Sequence, residues 1–185
     1  TSMHTENGWD PDVVKRRQRE ISEVTERYAF KGVFELGFPT VLLDTVPVSE
    51  ITKAISAVIS ETGPATVYLP FANDIHTDHQ IVFNAGASCT KNFRAPSIKR
   101  VLAYETLSET EFAPALRNGA FSPNVFVDIS GFFDKKLEIM KIYNSELMPS
   151  PLPRSIEAIE HLAGFRGSRI GRKYAEAFML LGEII

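Results

Sequence analysis

At 185 residues with a formal net charge of −3, the chain is long enough for one domain with a sizeable core, and gives no general attraction to nucleic acid or anionic membranes. No apolar run approaches the ~20 residues of a membrane span, and no basic-then-apolar leader precedes the polar opening. A single cysteine excludes an internal disulfide framework and fits a reducing, cytoplasmic compartment.

The opening stretch TSMHTENGWDPD, with Met3 inside it and polar residues all round, reads as a cut rather than a natural start. Asp10 is placed to cap a helix and Pro11 to occupy its first position. Val13, Val14, Ile21, Val24 and Tyr28 give that helix an incomplete apolar stripe around a basic run. GVFELGF and TVLLD then read as short strand-like or loop segments. In SEITKAISAVISETG, residues Ile51, Ala54, Ile55, Val58 and Ile59 follow helical spacing, with Ser49 as the expected N-cap and Gly63 as the stop. ATVYLPF is almost wholly apolar and rich in β-formers, as a strand covered on both faces would be.

A helix is expected from about Asp78 to Lys91, holding Cys89 as a buried structural thiol. IKRVLAYE and NVFVDIS follow as strands and FFDKKLEIMKIYNSEL as a helix. The tail from Arg154 reads as short helices interrupted by GFRGSRIG. Strand and helix alternate at βαβ spacing, so the expected fold is α/β: a Rossmann-like open, mostly parallel sheet with helices on both faces. No linker marks a second domain, and the Pro-rich LMPSPLPRS reads as a surface loop, so residues 1–185 are expected to form one domain.

The densest polar cluster is NDIHTDHQ, residues 73 to 80, directly after the ATVYLPF strand. If that strand is parallel, the cluster lies at its carboxyl end, where ligands bind in open α/β sheets. Its residues admit two readings. In one, Thr77 and Gln80 make a capping box or Asp78 caps the helix, Asp74 is a turn residue, and both histidines are bystanders. In the other, His79 is a zinc ligand on a rigid helix and His76 faces the same cavity. A catalytic zinc needs about three protein ligands plus a water, and this motif supplies one or two.

Asp74-x-His76-x-Asp78-His79 after an apolar strand is preceded by RRQREISEVTERYAFKGVFELGFPT, with Arg17 and Glu20, and followed by FRGSRIGRKYAEAF, with Tyr174, Ala175, Glu176 and Phe178. In that order these elements resemble the LmbE-like (PIG-L) family of zinc-dependent de-N-acetylases, over nearly the whole chain from Arg16 to Phe178. The resemblance implies a Rossmann-like fold and hydrolysis of the N-acetyl group of an N-acetylglucosamine-type glycoside or glycolipid. It implies zinc as cofactor, held by His79. It makes His76 and Asp78 catalytic: His76 steadies the oxyanion and protonates the leaving amine, and Asp78 orients a histidine. In the family an arginine near Arg17 faces the substrate.

One departure stands beside the resemblance. The family draws its other two zinc ligands and its general base from a His-Pro-Asp-Asp motif after a first strand, and the sequence contains no such motif. A first strand–helix unit is therefore expected to be missing from the front. His4, Glu6, Asp10 and Asp12 do not reproduce the spacing and read as loop and cap residues. An unpaired sheet edge would be left, so the chain is expected to pair with another, as in a homo-oligomer.

Among other residues, Asp74 and Glu105 are candidates to line the pocket, with strand-end solvation as the plain account of Glu105. Arg166 and Arg172, in a Gly-rich loop, are candidates to contact a sugar or phosphate. Trp9 is expected to pack on the first helix. The expected partner is an N-acetylated amino-sugar substrate, without nucleic acid and without an integral membrane segment. The rival reading is a non-catalytic glycan- or partner-binding module built on the same fold.

Overall fold

The computed structural model describes residues 4–5, 8–114 and 119–185. Glu6 and the side chain of Trp9 lie outside the described residues, and with them the loop reading of Glu6 and the packing of Trp9; His4, expected in a loop, lies in a short strand. The chain forms two compact units: residues 1–35 with 128–175, and residues 36–127 with 176–185.

In the first unit, β1 (His4–Thr5) and β2 (Gly8–Trp9) make a small antiparallel pair. Helix α1 (Pro11–Tyr28) starts as the sequence requires: the Asp10 carboxylate accepts from the N–H groups of Asp12 and Val13, and Pro11 occupies the first turn. It buries Glu20 and Val24 and packs against α4 (Phe133–Ile142). Helix α5 (Ile156–Ser168) begins on the buried Ser155, whose hydroxyl accepts from the Ala158 N–H. GFRGSRIG does not interrupt the tail as expected, because α5 continues through Gly164 and Gly167. The chain then folds back on Gly167, whose carbonyl accepts from the N–H groups of Ile170 and Arg172.

In the second unit, GVFELGF and TVLLD form no strand; Leu43–Thr45 is a single 3₁₀ turn. Helix α2 (Val48–Thr62) stops at Gly63 in the left-handed conformation, as expected, but its N-cap is Pro47 rather than Ser49. Strand β3 (Thr66–Pro70) leads into α3 (Thr77–Cys89), and α2 and α3 pack together. Leu43, Ile51 and Ala85 are the buried centre of this packing, with Phe38, Val46, Ile55, Ile81 and Val82 around them. Cys89 is buried there with its Sγ 3.4 Å from the Thr52 carbonyl, a structural position.

Strands β4 (Arg100–Tyr104), β5 (Val125–Asp128) and β6 (Ala175–Glu183) complete a four-stranded sheet of order β3-β4-β6-β5. β3 and β4 are parallel, with Pro70 opposite Tyr104, and β6 runs antiparallel to β4. The Asn124 N–H donates to Phe178 and the Ile129 N–H to Tyr174, so β5 is antiparallel to β6 as well. The fold is α/β with a mixed open sheet in which the tail supplies the one reversed strand. β3 is not covered on both faces, contrary to its apolar sequence: Leu69 and Pro70 are buried, but Tyr68 is 51% exposed. Its place at the end of the sheet order explains how Pro70, which cannot donate to a ladder, is accommodated. No described helix is long and apolar enough to cross a membrane.

Candidate functional site

Because β3 and β4 are parallel and in register, the loops leaving their carboxyl ends emerge side by side. One loop is residues 71–76, carrying the Asp-His cluster, and the other begins at Glu105. They are joined directly: the Ile75 N–H donates to the Glu109 carbonyl at 3.2 Å, and Asn73 Nδ2 donates to the Gly119 carbonyl at 3.1 Å.

His76 is itself the N-cap of α3, displacing the capping roles expected for Thr77 and Asp78. Its Nδ1 accepts from the Asp78 N–H at 3.1 Å. A ring nitrogen that accepts carries no proton, so in the neutral ring the proton sits on Nε2. His79 is arranged in the opposite sense. Its Nδ1 lies 2.8 Å from Asp74 Oδ2, and a carboxylate only accepts, so Nδ1 holds the proton and Nε2 presents a lone pair. The two rings stack 4.9 Å apart, 13° from parallel. The cluster thus presents one imidazole donor beside one imidazole acceptor.

Asp74 is fully buried and is the partner of His79. Its other oxygen, Oδ1, accepts from the Thr110 hydroxyl at 2.6 Å, and its backbone carbonyl accepts from Gln80 Nε2 at 2.7 Å. The resemblance implied that Asp78 orients a histidine; among the described residues its carboxylate meets no histidine ring. Its Oδ2 accepts from the Val41 N–H at 2.6 Å and its Oδ1 from the Leu43 N–H at 3.2 Å, so the carboxylate is committed to the 3₁₀ turn. Helical phase explains this: Asp78 lies in the first turn of α3 on the side facing the Val41–Leu43 segment, whereas Asp74 lies before the helix and beneath its first turn.

Tyr104 ends β4 in this region. Burial first, and the nearby Asp74 carboxylate second, push its phenol above the ordinary tyrosine value, so it stays a neutral donor. Neither Tyr104 nor Thr110 carries any local signal in the sequence; both become visible only through the parallel pairing of β3 with β4. Glu105 follows β4 directly and is half-buried, as a pocket-lining or strand-end residue would be.

Arg17 belongs to the first unit, where it is one member of a charge network. Its guanidinium pairs with Glu20 at 3.3 Å and with Glu146, and lies 5.4 Å from the centre of the Tyr143 ring. Ser145 donates to Glu20, and Arg154 pairs with the second Glu146 oxygen at 2.7 Å. These contacts join α1 to the segment after α4 and give Arg17 a structural function irrespective of any substrate. Arg166 is not in a Gly-rich loop but in the last turn of α5, 5.4 Å from the Phe165 ring centre. Arg172 pairs at 3.2 Å with Asp128 on the surface.

As for a metal, His79 Nε2 is chemically suited to zinc. Among the described residues, however, no group of three or more His, Cys, Asp or Glu side chains could hold an ion. The described residues therefore supply one ligand and do not by themselves fit a catalytic zinc site.

Comparison with known proteins agrees with this geometry. The family model described as PIG-L: GlcNAc-PI de-N-acetylase matches residues 1–90. A conserved protein of Thermus thermophilus superposes with a TM-score of 0.72 at 23% identity, over 92% of this chain and 75% of its own. N,N'-diacetylchitobiose deacetylase from Pyrococcus horikoshii gives 0.68 at 19% identity, over 91% of this chain and 64% of its own. A 4-carboxy-2-hydroxymuconate hydratase from Pseudomonas putida gives 0.69 at 16%, over 92% and 73%. At these identities the structures establish a shared fold, and that fold hosts more than one reaction. The chain thus shares the fold of these proteins, and its residues 1–90 match the model of the PIG-L (LmbE-like) de-N-acetylase family.

Proposed function

We propose that the protein hydrolyses the N-acetyl amide of an amino sugar, with an N-acetylglucosamine-type glycoside or glycolipid as the substrate class. The observation that carries this reading is the pair of stacked histidines held in opposite tautomers at the carboxyl end of β3. Amide hydrolysis needs a donor for the oxygen that gains charge and a second group on the attacking side. His76, with Nδ1 taken up by the helix cap and the proton on Nε2, is the donor. The deacetylase named among the structural neighbours and the family description support the choice of amide over other bonds.

Zinc is the cofactor implied by this reading, and His79 is the described residue suited to hold it. Since the described residues do not complete the ligand set, no step is derived through the metal. Asp74, Glu105, Arg17 and Arg166 remain proposed substrate-side residues, with Asp74 acting through His79.

The test is release of free amine from an N-acetylglucosaminide, assayed with zinc in excess. His76→Ala is expected to lose turnover by ~10²–10⁴-fold, the usual contribution of such a group, while retaining metal. His79→Ala is expected to lose metal retention. The reverse pattern would exchange the two roles, and hydration of a conjugated acid without amine release would favour the chemistry named for the Pseudomonas neighbour. The chain is expected to bind zinc weakly in calorimetry, so metal retention is compared between the variants at saturating zinc; tight one-to-one binding would show that other residues complete the site.

A further inference from the structure

Asp74 is the hydrogen-bonding partner that holds the His79 ring, and it is completely buried. A buried carboxylate must have both oxygens satisfied, or it rotates or takes up a proton. Oδ2 is taken by His79 Nδ1, and Oδ1 has one described partner, the Thr110 hydroxyl at 2.6 Å. The Thr110 hydroxyl is not free to turn elsewhere. Its oxygen accepts from the Thr106 N–H at 2.8 Å, which directs its single proton at Asp74.

A directed chain therefore runs from the Thr106 N–H through the Thr110 hydroxyl and the Asp74 carboxylate to His79 Nδ1. Thr110 is 36 residues from Asp74 in sequence, and its loop is held against the Asp74 loop by the Ile75–Glu109 backbone hydrogen bond. Ser108, at φ 73°, marks a tight turn between the two threonines, a conformation rarely adopted by a residue with a side chain. That turn brings the Thr106 N–H and the Thr110 hydroxyl together.

We infer that Thr110 is a positioning residue for the proposed reaction: it fixes the Asp74 carboxylate and thereby keeps the proton of His79 on Nδ1 and the lone pair on Nε2. This deepens the proposed function and rests on His79 working at the site. With the hydroxyl removed, Oδ1 has no donor among the described residues. The carboxylate then turns away from Nδ1, and the ring reverts to the Nε2–H tautomer that unrestrained imidazole favours. The lone pair then lies on Nδ1 instead of Nε2.

The experiment reads that tautomer directly and needs no turnover. The full chain, ¹⁵N-labelled at its four histidines and freed of metal by chelator, is examined by long-range ¹H–¹⁵N correlation at a mildly alkaline pH where imidazoles are neutral. The signals of His79 are assigned by their loss in His79→Gln. Wild type and Thr110→Ser are expected to show His79 as Nδ1–H, whereas Thr110→Val and Thr110→Ala are expected to lose most of that population. A merely structural threonine would alter melting but leave the tautomer in place. The inference is overturned if either hydroxyl-free variant keeps the wild-type tautomer, or if Thr110→Ser loses it. It is equally overturned if both hydroxyl-free variants fail to fold while Thr110→Ser folds, since Thr110 is then a folding residue. Absence of amine release by the wild type would sink the proposed function and leave this measurement intact.

Discussion

Asp78 accepts two N–H groups from the Val41–Leu43 segment, and Val41 holds φ at 67°, a left-handed value that β-branched residues seldom adopt. The carboxylate offsets that strain by supplying the acceptors that the turn lacks. Asp78→Asn replaces one acceptor oxygen with a donor, which then faces a backbone N–H. Stability is expected to fall by about 1–3 kcal/mol in denaturant unfolding, the cost of a buried polar group left unpaired. Since the Asp78 carboxylate touches no histidine side chain among the described residues, and its backbone N–H to His76 is unchanged by the substitution, turnover per folded molecule should change little. A large drop in turnover with unchanged stability would restore Asp78 to the histidine-orienting role. Asp74→Asn is the contrasting change, expected to cost ~10–100-fold in activity or metal affinity through the loss of the His79 partner.

Helix ends set the local structure of the first unit. α1 ends on Ala29 at φ 55°, where glycine is the usual residue because a Cβ is crowded in the left-handed region. Ala29→Gly is therefore expected to stabilise the protein by about 1 kcal/mol, the cost of that crowding less the extra chain entropy of glycine. A loss of stability would mean that the alanine methyl has packing value exceeding its strain. At the end of α5 the requirement is reversed. A Cβ on Gly167 would lie 2.6 Å from the Arg172 carbonyl oxygen and 2.8 Å from that of Lys173, both rigid backbone atoms. Gly167→Ala is expected to cost about 1–3 kcal/mol, as overpacking does, and chemical denaturation measures it. Wild-type stability in that variant would show that the 170–173 turn moves freely away from the helix.

Sheet topology governs the site at the largest scale. Parallel pairing of β3 and β4 sends two loops out of the same end, and Asp74 and Thr110 lie on them, 36 positions apart. Tyr104, at the end of β4, gives this arrangement an alkaline signature. Its phenol is held above the usual value by burial and by Asp74, so the folded chain keeps a proton that the unfolded chain loses above a pH of about 10. The contribution to stability is complete below that value and is lost as pH rises toward the raised folded value. Melting temperature should therefore decline on the alkaline side, and Tyr104→Phe should flatten that part of the profile. An unchanged slope in the phenylalanine variant would place the sensitivity elsewhere.

Local features of the chain were readable without coordinates. Asp10 and Pro11 start α1, the helical spacing of Ile51, Ala54, Ile55, Val58 and Ile59 marks α2, and the Asp-His cluster follows an apolar strand, because caps, periodicity and turn residues act within a few positions. The order of such elements was also enough to point to the family. Three matters were decided only by the tertiary structure. The tail became a strand running against β4, since AEAFMLLGE has no periodicity that separates helix from strand and its pairing partner decides. Asp74 rather than Asp78 became the partner of His79, because helical phase and the position of the Val41–Leu43 turn determine which carboxylate meets which donor. Thr110 joined the cluster from 36 residues away through the register of two strands, a long-range fact that no local pattern encodes.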